Sequence, residues 1–122
     1  MSLRILVVDD EEVLPELIAM HLSLEGHEAK TASNGKQAIE ILEAEQFDVV
    51  LLDLDMPIMN GMDVLRYIRE QKIQVRPLMT TGIEDWRTWT ECANLGALDH
   101  LPKPYDFDAL LEAIEEAMAE PV

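Results

Sequence analysis

Val49-Val50-Leu51-Leu52-Asp53-Leu54-Asp55 is the stretch on which the fold turns. Four branched apolar residues with no polar alternation fit a strand covered on both faces, the situation of a parallel sheet held between two layers of helix. A carboxylate closing such a strand is costly to bury without a partner. Asp53 therefore marks the carboxyl end of this strand as the place to look for other polar groups.

Outward from it, Leu3–Val8 and Leu78–Thr81 are further runs of branched residues, and Glu28–Ala32 and Leu98–Leu101 are weaker ones. Each reads as a short strand. Between and after them lie segments of helical period at Val13–Leu24, Lys36–Glu45, Met62–Gln71, Glu84–Leu95 and Phe107–Ala119. Pro15 falls in a first turn, where its missing N–H costs little, and Asp106 is placed to cap the last helix. Glu84 and Asp85 suit the positive start of the fourth helix, and Gly26 and Gly96 stand where helices stop. Five strand–helix units in succession predict an α/β domain with a parallel sheet. Functional groups in such sheets gather beyond the carboxyl ends of the strands.

Those ends carry Asp9-Asp10, Asp53, Thr81-Gly82 and Lys103-Pro104, and right-handed winding brings them to one rim. Converging carboxylates repel, so the cluster calls for a divalent cation. With oxygen donors and no Cys or His nearby, a hard ion is favoured, and a site that must also take phosphate favours Mg²⁺. An Asp beside such an ion, a hydroxyl and a lysine is suited to act as a nucleophile in phosphoryl transfer.

Composition narrows the function further. The chain has 122 residues, 48% hydrophobic, with 9 Lys and Arg against 25 Asp and Glu and a net charge of −16. That is the length of one domain, 1–122, and too apolar for a disordered acidic tail. The charge argues against direct nucleic-acid binding and for cations or basic protein surfaces as partners. No apolar run approaches a membrane span, and the single Cys92 excludes an intrachain disulfide, so a reducing cytoplasm is expected.

The stretches ILVVDDEE, DVVLLDLDMPIMNGMDVL, PLMTTG and LPKPYDFDALLEAI, in this order, resemble the receiver domain of two-component response regulators. The resemblance spans nearly the whole chain. It implies a flavodoxin-like (βα)5 sheet of strand order 2-1-3-4-5, with Asp53 as the phosphoryl acceptor. It further implies that Asp9 and Asp10 place Mg²⁺, Asp10 more directly, with Asp55 giving its backbone carbonyl. Thr81 matches the switch hydroxyl, Gly82 deciding for it over Thr80, and Lys103 matches the phosphate-pairing lysine before a cis Pro104. A sensor histidine kinase is the implied donor, and a downstream effector or output domain the implied receiver of the signal. The charge of the last helix, acidic and without a basic residue, instead argues for a monomer or weak dimer. The function implied is a switch that catalyses only its own phosphorylation and slow hydrolysis.

Several positions depart from the family. His100 stands where an aromatic switch residue is usual, and an imidazole there adds titration near neutral pH. Pro102 replaces a more usual small polar residue. Asp53-Leu54-Asp55 also resembles the nucleophile motif of haloacid-dehalogenase-type phosphatases, which carry it on the first strand, where this chain has Asp9-Asp10. A third reading is an adaptor pseudo-receiver that takes no phosphate. His21 is expected on the inward stripe of the first helix with Leu14, Leu17 and Ile18, and His27 at an exposed loop. Trp86 and Trp89 could both cover the sheet, although register from Gly96 places Trp89 near the outer face, where a basic partner docking by His100 would find it. The last helix offers Glu112, Glu115, Glu116 and Glu120 to solvent and no basic residue.

Overall fold

The stretch 49–52 is the centre of the sheet. In the computed structural model, which describes residues 2–81 and 85–121, β3 (Val49–Leu52) is fully buried along its length. It pairs in parallel with β1 (Arg4–Val8) on one side and β4 (Arg76–Met79) on the other. β2 (Glu28–Ala32) and the two-residue β5 (Asp99–His100) are the edges, giving the order β2-β1-β3-β4-β5. Five helices alternate with them: α1 (Leu14–Leu24), α2 (Gly35–Ala44), α3 (Gly61–Glu70), α4 (Trp86–Asn94) and α5 (Phe107–Met118). This is the doubly wound (βα)5 architecture expected from the sequence.

The absence of alternation in the central strands follows from two cores rather than one. Leu6, Val8, Val50, Leu52 and Met79 point to a cluster covered by α2, α3 and α4, with Val64, Leu65, Ile68 and Cys92. Ile5, Val7, Val49, Leu51 and Leu78 point the other way, to Ile18, Leu22, Leu110 and Ile114 of α1 and α5. Each fully buried aliphatic side chain contributes about 1.5–3 kcal/mol, so neither face of β3 tolerates a polar residue.

Side-chain caps set the starts of α2 to α5, while α1 has none and begins with Pro15 in its first turn. Asn34, Asn60, Asp85 and Asp106 each accept a backbone N–H of the first turn, and Asn60 forms a reciprocal capping box with Asp63. Asp85 is thus the cap of α4, outside the helix that the sequence placed it in. Glu84, with Gly82, lies outside the described residues. Gly26 and Gly96 follow α1 and α4 with positive φ, as expected of helix stops.

Three strands differ from their expected bounds, β1 only in starting at Arg4 rather than Leu3. β4 begins at Arg76, because in register opposite Val50 the missing N–H of Pro77 does not end the ladder. At its far end Thr80 still donates its N–H to Leu52 O at 2.8 Å, but Thr81 has left the ladder. β5 shortens to Asp99–His100, although Leu98 N–H to Pro77 O (2.9 Å) and Leu101 N–H to Met79 O (2.7 Å) extend its alignment.

Candidate functional site

Four chain segments leave the sheet at its carboxyl rim, and the polar residues predicted there meet. Asp53 continues β3 and is held in line by its N–H to Val8 O at 3.1 Å. Asp9 continues β1 through its N–H to Ala32 O at 3.0 Å. Both are buried, Asp9 2% and Asp53 5% exposed, while Asp10 is exposed. Carboxylate oxygens of Asp9, Asp10 and Asp53 lie within 4.8 Å of one another. The turn after Asp53 folds back on the start of α3, and Gly61 makes this approach feasible. A Cβ at Gly61 would stand 2.4 Å from the Asp53 carbonyl oxygen.

Donors surround the Asp53 carboxylate. The Thr81 hydroxyl donates to Oδ1, as does the N–H of Asp55 at 3.1 Å. Thr81 Oγ1 in turn accepts the N–H of Leu54 at 3.1 Å, which fixes the hydroxyl against the strand end. Lys103 Nζ lies 3.2 Å from Asp53 Oδ2, 2.7 Å from Asp9 Oδ2 and 2.8 Å from Glu11 Oε2. The Lys103–Pro104 peptide is cis, as the family resemblance implied.

The electrostatics follow from this crowding. Burial works against the Lys103 charge, but its hydrogen bonds to Asp9 and Glu11 outweigh burial and hold the ammonium above the usual lysine range. Burial, then the neighbouring Asp9 charge, pushes the Tyr105 phenol up to about 12. Asp9, Asp10, Glu11 and Asp53 oppose one cation, so the rim keeps a net negative charge. Its donors are all oxygens, two of the carboxylates are buried, and no His or Cys belongs to the cluster. This donor set fits a small hard divalent ion such as Mg²⁺.

Thr81, rather than the buried Thr80, is the hydroxyl that reaches Asp53. Asp55 stands outside the carboxylate trio and reaches Asp53 only through its backbone. Glu11 and Gly61 were missed. Glu11 belongs to the acidic run 9–12, of which the sequence reading used only the first two. Elsewhere the expectations need correction. The inward residues of α1 are Pro15, Ile18 and Leu22; His21 is exposed and rests on Phe107, ring centres 4.8 Å apart, and Leu17 is exposed too. His27 is half-buried because its Nδ1 accepts the Leu3 N–H at 3.0 Å. The tryptophans divide oppositely to their expected register. Trp89 packs on the core, 5.0 Å from His100, and Trp86 is the one exposed. Among the described residues, His100 Nδ1 is buried without a hydrogen-bond partner.

A doubly wound parallel domain with an acidic, lysine-clamped rim is the class that fold and site define. Residues 5–115 match the response regulator receiver domain family, and the chain belongs to that family. It is 37% identical over 112 residues to the transcriptional regulatory protein CutR of Streptomyces coelicolor, covering 92% of this chain and 52% of that protein. The chain spans about half or less of the first transcriptional relatives it matches. With sporulation initiation phosphotransferase F of Bacillus subtilis it shares 33% identity over 116 residues, which cover 95% of this chain and 94% of that one. Among solved structures, response regulator TrrA of Thermotoga maritima, in complex with Mg²⁺ and BeF, superposes with a TM-score of 0.82. The two are 33% identical, and the match covers 93% of this chain and 97% of TrrA. The chain is therefore the receiver domain of a two-component response regulator, and its receiver relatives are signalling switches. Among the described residues no helix is long and apolar enough to cross a membrane.

Proposed function

We propose that Asp53 is the phosphoryl acceptor of this receiver and that a sensor histidine kinase is the donor. One observation carries the reading. A single buried carboxylate receives the Thr81 hydroxyl and the Lys103 ammonium while sharing its surroundings with Asp9 and Asp10. A carboxylate oxygen of Asp53 attacks phosphorus and forms the new P–O bond. The bond from phosphorus to the histidine nitrogen breaks, and its electron pair leaves with the imidazole, which is protonated from solvent. Asp9 and Asp10, with Asp53 and the Asp55 carbonyl, would hold Mg²⁺, which when bound neutralises charge on the phosphoryl oxygens. Lys103 then pairs with one phosphoryl oxygen, and Thr81 swings its hydroxyl from Asp53 to another. These donors are aimed at charge that builds during transfer, and that is their catalytic contribution. No turnover substrate is needed, and the reaction suits a cytoplasmic switch.

The kinase has a surface to dock on. Val13, Leu17, Met20 and Leu24 run the length of α1 at intervals of four, three and four residues, and are 64%, 44%, 53% and 79% exposed. The stripe begins at the residue after the acidic run 9–12, which suits a kinase helix packed along it to present a histidine to Asp53. On this reading the Trp89–His100 contact, with ring centres 5.0 Å apart, is the element that carries the output.

Borohydride reduction of protein treated with acetyl phosphate and Mg²⁺ tests the acceptor. An acyl phosphate on Asp53 is converted to homoserine at that position, and the peptide bearing it identifies the site. Homoserine at Asp9, Asp10 or Asp55 instead would reassign the nucleophile.

A further inference from the structure

Lys103 is shared among three carboxylates: it donates to Glu11 at 2.8 Å and to Asp53 at 3.2 Å, and forms an ion pair with Asp9 at 2.7 Å. A phosphoryl group on Asp53 takes over the Asp53 contact with more oxygens and more charge, so it competes for the ammonium with the other two partners. Asp9 is a poor one to release, since its side chain is 2% exposed and would be left as a buried charge. Glu11 is different: its side chain is 52% exposed and water replaces the lysine at little cost. It is nevertheless poised, because its backbone N–H is tied to Asp9 Oδ1 at 2.9 Å. It is also no part of the carboxylate trio suited to a metal.

We propose that Glu11 is a gating residue for Lys103: it occupies the lysine in the unphosphorylated domain, releases it when a phosphoryl group reaches Asp53, and by that competition limits how readily the site loads. The inference rests on Asp53 as acceptor and on Lys103 as its phosphate partner. Glu11 touches neither phosphorus nor the reacting oxygen, so it acts as a positioning residue, through the lysine alone.

Removing its charge while keeping its size should therefore speed loading. In Glu11→Gln a neutral amide oxygen holds the ammonium about half as strongly as a carboxylate does. The same charge change in Glu12→Gln is the control for plain attraction of an anionic donor, since Glu12 is exposed and makes no ion pair among the described residues. Three quantities are read on the whole chain: the rate of Asp53 labelling by acetyl phosphate, the affinity for beryllofluoride with Mg²⁺, and the affinity for Mg²⁺ alone. Glu11→Gln is expected to raise the first two by about fivefold over both parent and Glu12→Gln. All three proteins should bind Mg²⁺ alike. A merely structural Glu11 would not tighten beryllofluoride. Glu11→Asp, whose shorter arm opens the contact without changing charge, should move in the same direction and serves if the glutamine variant fails to fold. Equal effects at 11 and 12, or no gain at 11, overturn the gate while a parent labelled on Asp53 leaves the acceptor assignment standing. A parent unlabelled at Asp53 overturns both.

Discussion

Burying the Asp53 carboxylate costs the hydrogen bonds of water, and Thr81, the Asp55 N–H and Lys103 replace them. The remaining charge of the rim has no such compensation until a cation enters. Asp10→Asn should therefore weaken Mg²⁺ binding and labelling together, yet stabilise the protein in EDTA by up to about 1 kcal/mol through relief of carboxylate repulsion. Denaturant melts in EDTA check this, and a less stable variant would sink the repulsion argument. Alkaline pH acts in the opposite sense. Lys103 and Tyr105 both have raised folded values, so their contributions to stability are whole below about pH 10 and fall as pH climbs towards 12 and beyond. The same melts between pH 8 and pH 12 should show midpoints that are flat at first and then fall. Single residues were legible where local pattern fixes them: Asp9, Asp10, Asp53, Thr81 and Lys103 all end or follow strands. Glu11 was not, because its bond to Lys103 joins residues 92 apart in sequence and leaves no periodic trace.

At the scale of elements, helices came through more faithfully than strand ends. α3 and α5 are amphipathic and carry side-chain caps, so their patterns announce both span and face. β4 starts two residues earlier than the apolar run, because a parallel ladder accommodates Pro77 where its N–H is not needed. α1 was misjudged for a related reason. Its aliphatic residues surround most of the helix, and periodicity cannot tell the set Pro15, Ile18 and Leu22, which faces the sheet, from the set Val13, Leu17, Met20 and Leu24, which does not. The exposed set gives a prediction proper to this element. Leu17→Glu or Met20→Glu should reduce transfer from the phosphorylated kinase by more than tenfold, the loss of one good interface anchor, while labelling by acetyl phosphate stays within twofold of the parent. An equal loss from both donors would mean that the substitution damages the site rather than the docking face.

The whole molecule is electrically lopsided. Residues 11–29 and 104–122, which hold α1 and α5, contain no Lys or Arg. Arg66, Arg69, Lys72, Arg76 and Arg87 all lie on the α3–β4–α4 side. If the kinase docks on α1 as proposed, its helix is expected to carry apolar residues flanked by basic ones. The same asymmetry bears on assembly. Two copies meeting symmetrically through α4, β5 and α5 would bring Glu112, Glu115, Glu116 and Glu120 of each against the other, costing about 1 kcal/mol per close like-charged pair in water and less in salt. Sedimentation of the beryllofluoride-loaded chain should therefore show no such dimer at low salt, with Glu112→Arg as the variant that relieves repulsion. A tight dimer crosslinked through α5 would show that face to be an interface after all.

The Thr81 hydroxyl, the Lys103 ammonium and the acidic pair all converge on the Asp53 carboxylate, and intact mass after incubation with acetyl phosphate probes its role most directly. With Mg²⁺ the chain should gain one phosphoryl group. EDTA should abolish the gain, and Asp53→Ala should remove it with the fold intact. Undiminished labelling of folded Asp53→Ala, or labelling indifferent to EDTA, would contradict the account.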